Sequence, residues 1–220
     1  MVHIPQKYLK FTYCIDYTES SIIEKSQDLV KDIPKQNDIE RGIKLFYFVR
    51  DEIQYVVKND NDYYKRENLK ASATLKRGYG FCIQKAVLLA ALARALGIPS
   101  RLHFNDIVNH MTSKKYIEYI GNDKFLYHGY TELFLNGKWV EANVAFDKDL
   151  CIRKNWPIVE FDGVKPGLFA HHDKSGKPFI DYVKDHGTFS HVPYPRILVT
   201  WMVGYGFKMH GKKRRSGQDK

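Results

Sequence analysis

The amino-acid sequence predicts an α+β fold in which helices come first and an antiparallel sheet follows. Apolar residues recur at helical spacing between residues 20 and 95, whereas short β-rich runs separated by turns dominate after residue 100. The clearest strand signal is Asn136-Gly137, which lies between the runs 127–135 and 138–146. This residue pair closes two-residue hairpins more readily than most others, so the two runs are expected to pair.

Helix start and stop signals divide the first half of the chain. A serine at 20–21 can cap a helix that runs to about residue 32, and Pro34 prevents its continuation. Asn37 or Asp38 can cap a second helix, which is expected to run to about residue 53. Ser72 can cap a short helix that ends near Lys76. A further helix is expected to begin at Cys82 and to end before Gly97, because glycine suits the position that follows a helix.

Length and composition favour one globular domain with a basic tail. The chain has 220 residues, of which 44% are hydrophobic, and we assign the domain to residues 1–207. Residues 208–220 form a basic tail that we expect to be disordered, and this tail contributes to a formal net charge of +10. Nucleic acid is not expected as a partner, because no recognisable nucleic-acid motif accompanies the tail.

The remaining composition excludes other classes. No run approaches the roughly 20 apolar residues that a membrane helix needs, so a membrane partner is not expected. Three cysteines, Cys14, Cys82 and Cys151, form too sparse and odd a set for a disulfide framework. They indicate a reducing compartment, and we expect a cytoplasmic location.

Cys82 occupies a chemically favourable position in the sequence. Gly78 and Gly80 precede it, and an alanine- and leucine-rich helix follows it. A thiol at a helix N-terminus meets unpaired backbone N–H groups and the positive end of the helix dipole, which lower its pKa. The same N–H groups can hold the oxyanion formed when a thiolate attacks a carbonyl. The alternative interpretation is a small, buried and unreactive cysteine.

The hairpin suggests partners for this thiol. A turn at 136–137 sets Leu135 opposite Lys138 and, if the pairing continues, sets His128 opposite Ala145. Strand alternation then places His128, Asn143 and Asp147 on one face. A reactive thiol needs a base, and the base needs a third group to orient its ring. Parity does not choose between Asn143, which would orient the ring without charge, and Asp147, whose carboxylate would stabilise an imidazolium more strongly.

Together, three stretches resemble the transglutaminase-like superfamily of cysteine enzymes, a circularly permuted relative of the papain-like proteases. The stretches follow the family's order of nucleophile helix, histidine strand and third catalytic residue four positions after a tryptophan. They are residues 80–101, residues 128–132 and residues 137–143. The resemblance spans roughly residues 38–147, and the combination is more specific than any one piece.

The resemblance implies a papain-like core in which the nucleophile helix packs on an antiparallel sheet. It implies that Cys82 is the nucleophile and His128 the base. The third position, usually aspartate in the family, is here Asn143, which leaves Asn143, Asp147 or reduced activity as alternatives. No cofactor is implied. A metal site is not expected either, since the cluster at 171–173 suits a polar turn better than metal ligation.

The activity implied is thiol-dependent acyl transfer through a cysteine thioester. The expected substrate is a peptide, a protein or a small amide. Hydrolysis of a peptide or amide bond is favoured over transamidation, although the chemistry up to the thioester is the same for both. The alternative is a catalytically silent domain of the same fold used for protein binding, for which Asn143 is the sequence evidence.

Overall fold

We describe the fold from a computed structural model, in which residues 5–57 and 65–205 are described. The predicted tail at 208–220 lies outside the described residues. The helices are α1 (Ser20–Leu29), α2 (Asp38–Tyr47), α3 (Ala71–Arg77), α4 (Cys82–Ala95), α5 (Lys114–Ile120), α6 (Lys148–Lys154) and α7 (Tyr194–Tyr205). A π-helical turn, Phe48–Glu52, extends α2, and 3-10 turns occur at Gln6–Leu9 and Arg66–Leu69. Within the described residues, no helix is long and apolar enough to cross a membrane.

Within residues 5–57 and 65–205 the strands form two sheets, and the α+β prediction is confirmed. The strands are β1 (Gln54–Tyr55), β2 (Tyr79–Gly80), β3 (Ser100–Asn109), β4 (Lys124–Leu135), β5 (Lys138–Ala142) and β6 (Ile180–Phe189). The larger sheet is antiparallel and has the order β5-β4-β3-β6, whereas β1 and β2 form a short parallel pair.

α4 is the central helix of the molecule. It begins at Cys82 and ends at Ala95, as the sequence predicts, and Gly97 follows it with a φ of 79°. The backbone N–H of Phe81 donates to the side chain of Gln84, which closes the first turn. Nearly all of its residues are buried, because α1 to α3 contact it on one side and β3 and β4 on the other. The predicted packing of this helix on the sheet is therefore present.

The hairpin has the predicted turn but a shorter second strand. Leu135 pairs with Lys138, as expected, and pairing continues to Thr131 opposite Ala142. The expected pairing of His128 with Ala145 is wrong, because β5 ends at Ala142 and the chain turns away from the sheet. On its other side β4 pairs with β3, which places His128 opposite Asn105.

The second half contains elements that the sequence did not reveal. β6 pairs with the outer edge of β3. It was not predicted because its many polar residues interrupt the apolar pattern expected of a strand. The mixed stretch at 105–126 continues β3, forms α5 and begins β4. The apolar run at 192–203 forms most of α7, which packs against β4.

Candidate active site

Cys82 and His128 line one cavity of about 90 Å³. Cys82 is the first residue of α4, and His128 lies on the adjacent β4. Gly129 follows His128 in β4, and its backbone contacts Cys82. An added Cβ there would approach a ring carbon of Phe104 to 2.9 Å and Ile83 Cγ1 of α4 to 3.3 Å. The absence of a side chain at Gly129 therefore allows β4 to lie close to the start of α4, beside the nucleophile candidate.

The protonation state of Cys82 differs from the sequence expectation. Burial raises the pKa of the thiol from 9.0 to about 11, although hydrogen bonds from the backbone at Gly129, Ile83 and Cys82 act to lower it. The helix-start N–H groups thus favour the thiolate as predicted, but desolvation outweighs them. The lowered pKa expected from the helix N-terminus is therefore not present.

His128 is also neutral in this environment. Its side chain is 4% exposed, and its ring lies 5.3 Å from that of Phe169. Burial lowers the pKa of His128 to about 3. Both side chains are described, yet the thiol and the ring form no hydrogen bond with each other.

Asn143 is the candidate third residue that contacts His128. Its Nδ2 lies 3.1 Å from His128 Nε2, and its Oδ1 accepts from the backbone N–H of Ala145 at 3.1 Å. Asn143 Nδ2 also donates to the hydroxyl of Tyr182 on β6 at 3.4 Å. With the amide in this orientation Nε2 is the hydrogen-bond acceptor, so the hydrogen of the neutral ring is on Nδ1.

Asp147 lies elsewhere and has a structural role. Its Oδ1 accepts from Leu150 N at 2.7 Å and caps α6, while its Oδ2 accepts from Tyr55 N at 2.8 Å. Since β5 ends at Ala142, strand alternation no longer applies at residue 147, and the predicted shared face with His128 is absent there.

Asp106, Tyr127 and His186 form a network of contacts beside His128 that was not predicted from the sequence. Tyr127, the preceding residue, has a φ of 56° and sits across from an irregularity in β3 between Asn105 and Ile107. Asp106 Oδ1 accepts from Tyr127 N at 2.9 Å and from His186 Nε2 at 2.7 Å. The rings of Tyr127 and His186 stack with centroids 3.9 Å apart. The carboxylate thus holds an unfavourable backbone conformation immediately before the histidine.

A second polar cluster lies farther along the sheet. His103, Glu132 and Glu141 place ligand atoms within 4.8 Å of one another. However, both ring nitrogens of His103 already bond to carboxylates, those of Glu132 and Asp185, and Arg101 pairs with Glu132 at 2.6 Å. The arrangement is that of an ion-pair network, and Arg101 would repel a cation.

The cluster at 171–173 forms a turn. Asp173 Oδ1 accepts from the backbone N–H groups of Ser175 and Lys177 and from the Ser175 hydroxyl. His171 lies 3.6 Å from Asp181. These contacts agree with the expected polar turn.

Comparison with known proteins assigns the family. The profile of the transglutaminase-like superfamily matches residues 27–144, which is more than half of the chain and includes Cys82, His128 and Asn143. The chain belongs to the transglutaminase-like superfamily. No curated protein matches it in sequence.

Two solved structures show distant similarity to this superfamily member. One, described as a candidate cysteine protease from Cytophaga hutchinsonii, has a TM-score of 0.49 and 14% identity, with 86% of this chain and 57% of that chain covered. The other, a candidate protease from Parabacteroides distasonis, has a TM-score of 0.40 and 16% identity, with 63% and 25% covered. The chain thus spans little more than half of the first structure, and similarity at this level says nothing about its activity.

Proposed function

We propose that the protein is a cysteine enzyme that transfers acyl groups, with hydrolysis of a peptide or amide bond as the favoured reaction. The observation that carries the proposal is that Cys82, at the start of α4, shares a cavity with His128, whose Nε2 contacts Asn143 at 3.1 Å. Nucleophile, base and orienting group are the parts that such chemistry needs.

The proposed reaction begins with attack of Cys82 Sγ on the carbonyl carbon of the substrate. The thiol proton passes to His128, a C–S bond forms, and the carbonyl oxygen becomes an oxyanion near the backbone N–H groups that start α4. The C–N bond then breaks, and the amine leaves with the proton from His128. Water attacks the thioester, His128 accepts a proton from it, and the C–S bond breaks to release a carboxylic acid and the thiol.

This sequence of steps requires a change at Asn143. Because Nε2 contacts Asn143, Nδ1 is the ring nitrogen left to accept the thiol proton, and Nε2 must then carry the ring hydrogen. The Asn143 amide must rotate so that its Oδ1, which accepts from Ala145 N in this structure, accepts from Nε2 instead.

A second candidate function is a catalytically silent domain that binds protein. The raised pKa of Cys82, the lowered pKa of His128 and the missing hydrogen bond between their side chains favour it. The contact of His128 with Asn143 favours the enzyme, since a silent domain has no need of an orienting side chain.

Intact mass spectrometry separates the two candidates. The full chain is incubated with a panel of peptides and small amides, quenched in acid and weighed, with Cys82→Ser as the control. The enzyme hypothesis predicts a thioester adduct on Cys82 or release of product, both absent in the Cys82→Ser variant. If no amide in the panel is consumed and no adduct forms while the fold is native, the silent domain is the better account.

Two matched variants test which residue, Asn143 or Asp147, orients His128. Asn143→Ala should lower turnover by about tenfold or more while leaving Cys82 accessible to alkylation. Asp147→Ala should instead lower the free energy of unfolding by about 2–4 kcal/mol, because it removes both the α6 cap and the acceptor for Tyr55 N. Turnover per folded molecule should fall less than in Asn143→Ala, since Asp147 does not contact His128. If only Asp147→Ala loses activity, the assignment moves to Asp147.

A further inference from the structure

The cavity beside Cys82 has apolar walls that come from outside the triad. Tyr116 and Ile120 of α5 form one part, and Trp201 and Tyr205 of α7 form another. Among the described residues that line the cavity, none is aspartate, glutamate, lysine or arginine. α7 also lies beyond the family match at 27–144, so its part of the wall belongs to this chain rather than to the matched region.

α7 packs closely against the N-terminal end of β4. Trp201 Nε1 donates to the carbonyl of Leu126 at 2.8 Å, and the N–H of Leu126 donates to the Tyr205 hydroxyl at 2.6 Å. An added Cβ at Gly204 would lie 2.1 Å from Leu126 Cδ1, so this glycine permits the close approach. Two hydrogen bonds to one backbone residue therefore fix the distance between α7 and the strand that carries His128.

The size of the cavity limits what can enter. An apolar cavity of roughly 150 Å³ accommodates a benzene ring, and this one measures about 90 Å³. Because the cavity is open on one side, a phenyl group would remain partly outside its walls, whereas a short or branched alkyl group is surrounded by them. A charged group is disfavoured, because burial without a partner leaves its charge uncompensated.

We propose, resting on the proposed function, that this cavity is the acyl-group subsite and binds a compact, uncharged aliphatic group of roughly three to four carbons. The group lies next to the carbonyl that Cys82 attacks. Trp201 and Ile120 set the depth of the subsite. Each added methylene that is buried should raise the specificity constant by about fourfold until the cavity is full.

The first experiment compares turnover of acyl aminocoumarin amides by the full chain. The expected order of kcat/KM places isobutyryl and isovaleryl amides about tenfold or more above the acetyl, phenylacetyl and succinyl amides. The succinyl group is a charged control of similar length. Equal rates for all five amides, or a preference for phenylacetyl or succinyl, would overturn the inference.

A binding experiment distinguishes failure of this inference from failure of the proposed function. The Cys82→Ala variant is titrated with isobutyramide, isovaleramide, acetamide, phenylacetamide and succinamate, and binding is followed by calorimetry. Selective binding of the branched amides supports the subsite even if the wild-type chain turns over none of them. Binding without selectivity overturns the subsite even if turnover occurs.

Variants of the wall test the residues named. Trp201→Leu should enlarge the cavity and shift the preference toward phenylacetyl by about tenfold, and Ile120→Ala should do the same at the part of the wall formed by α5. Val199→Ala is the matched control, since Val199 lies on α7, is 59% exposed and does not line the cavity. An unchanged order of preference in both wall variants, each with a native fold, would contradict the assignment.

Discussion

Asn143 decides the tautomer of His128. In this structure the amide donates to Nε2 because the backbone N–H of Ala145 occupies its oxygen. An aspartate at this position has two acceptor oxygens, so one can accept from Ala145 N and the other from a protonated Nε2. The carboxylate would also favour the charged ring and oppose the burial that lowers the pKa of His128.

We therefore predict that Asn143→Asp increases the reactivity of Cys82. The rate of alkylation by iodoacetamide at pH 7 should rise by about tenfold or more, because Nδ1 becomes free to accept the thiol proton. Peptide mapping distinguishes Cys82 from Cys14 and Cys151, whose pKa values burial raises to about 11 and which serve as internal controls. A rate at Cys82 that is unchanged or lower, with the fold intact, would contradict the tautomer argument.

Asp106 supports the backbone conformation that precedes His128. Asp106→Ala leaves the buried N–H of Tyr127 and the ring of His186 without their acceptor. We expect it to lower the free energy of unfolding by about 1–3 kcal/mol, measured by urea denaturation. Asp106→Asn keeps an acceptor oxygen for Tyr127 and should lose less. Equal losses for both variants would mean that the charge, rather than the hydrogen bond to the backbone, supports the turn.

At the scale of elements, the contact between β4 and α4 sets the distance between His128 and Cys82. Gly129→Ala places a methyl group 2.9 Å from a ring carbon of Phe104 on β3 and 3.3 Å from Ile83 Cγ1 on α4. It should displace the Phe104 ring and, with it, the position of β4 over the start of the helix. We expect it to destabilise the fold by about 1–3 kcal/mol and to reduce turnover per folded molecule. Phe104→Leu in the same chain removes the opposing ring atoms and should restore part of both losses. If the double variant is no better than Gly129→Ala alone, the clash with Phe104 is not the cause.

Elements differed in how well local signals predicted them. α4 has an unambiguous start, an apolar interior and a following glycine, so its limits could be predicted. β6 could not, because it lies at the sheet edge and carries polar residues such as Asp181, Lys184 and Asp185. An edge strand depends on its pairing with β3, which is a long-range property that the sequence pattern does not reveal.

For the whole molecule, buried neutral groups link stability to pH. The pKa of His128 is about 3 in the fold and 6.5 by reference, so its contribution to stability is present above pH 6.5 and is lost as pH falls toward 3. The slope should reach about 1.4 kcal/mol per pH unit in this range. The fall in the free energy of unfolding between about pH 6.5 and about pH 3.5, measured by urea denaturation, should therefore be smaller in His128→Gln than in the wild type.

His103 serves as a control, because its contribution to stability changes with pH in the opposite direction to that of His128. Burial acts against its charged form, but hydrogen bonds to Glu132 and Asp185 raise the pKa of His103 above its ordinary value. Its contribution to stability is therefore present below pH 6.5 and is lost as pH rises through the folded pKa. His103→Gln should lower stability at pH 5 and leave the slope due to His128 in place. If the free energy of unfolding falls equally with decreasing pH in the wild type and in His128→Gln, the assignment of this pH dependence to His128 is wrong.

By itself the sequence determined the helix that begins at Cys82, the turn at 136–137, the order of Cys82, His128 and Asn143 along the chain, and the family. Capping, turn chemistry and periodicity act over a few neighbouring residues, and for that reason they can be seen in the sequence. The assignment of one domain to 1–207 stays a prediction.

Only the tertiary structure decided which side chain contacts His128. The end of β5 at Ala142 brings Asn143 to the ring and sends Asp147 to cap α6, although strand parity allows both. Tertiary packing likewise decided the protonation of the site, since burial outweighs the helix N-terminus at Cys82 and raises its pKa. The physical reason is the same in both cases: desolvation and contact depend on groups that are distant in the chain and meet only when the sheet, α4 and α7 pack together.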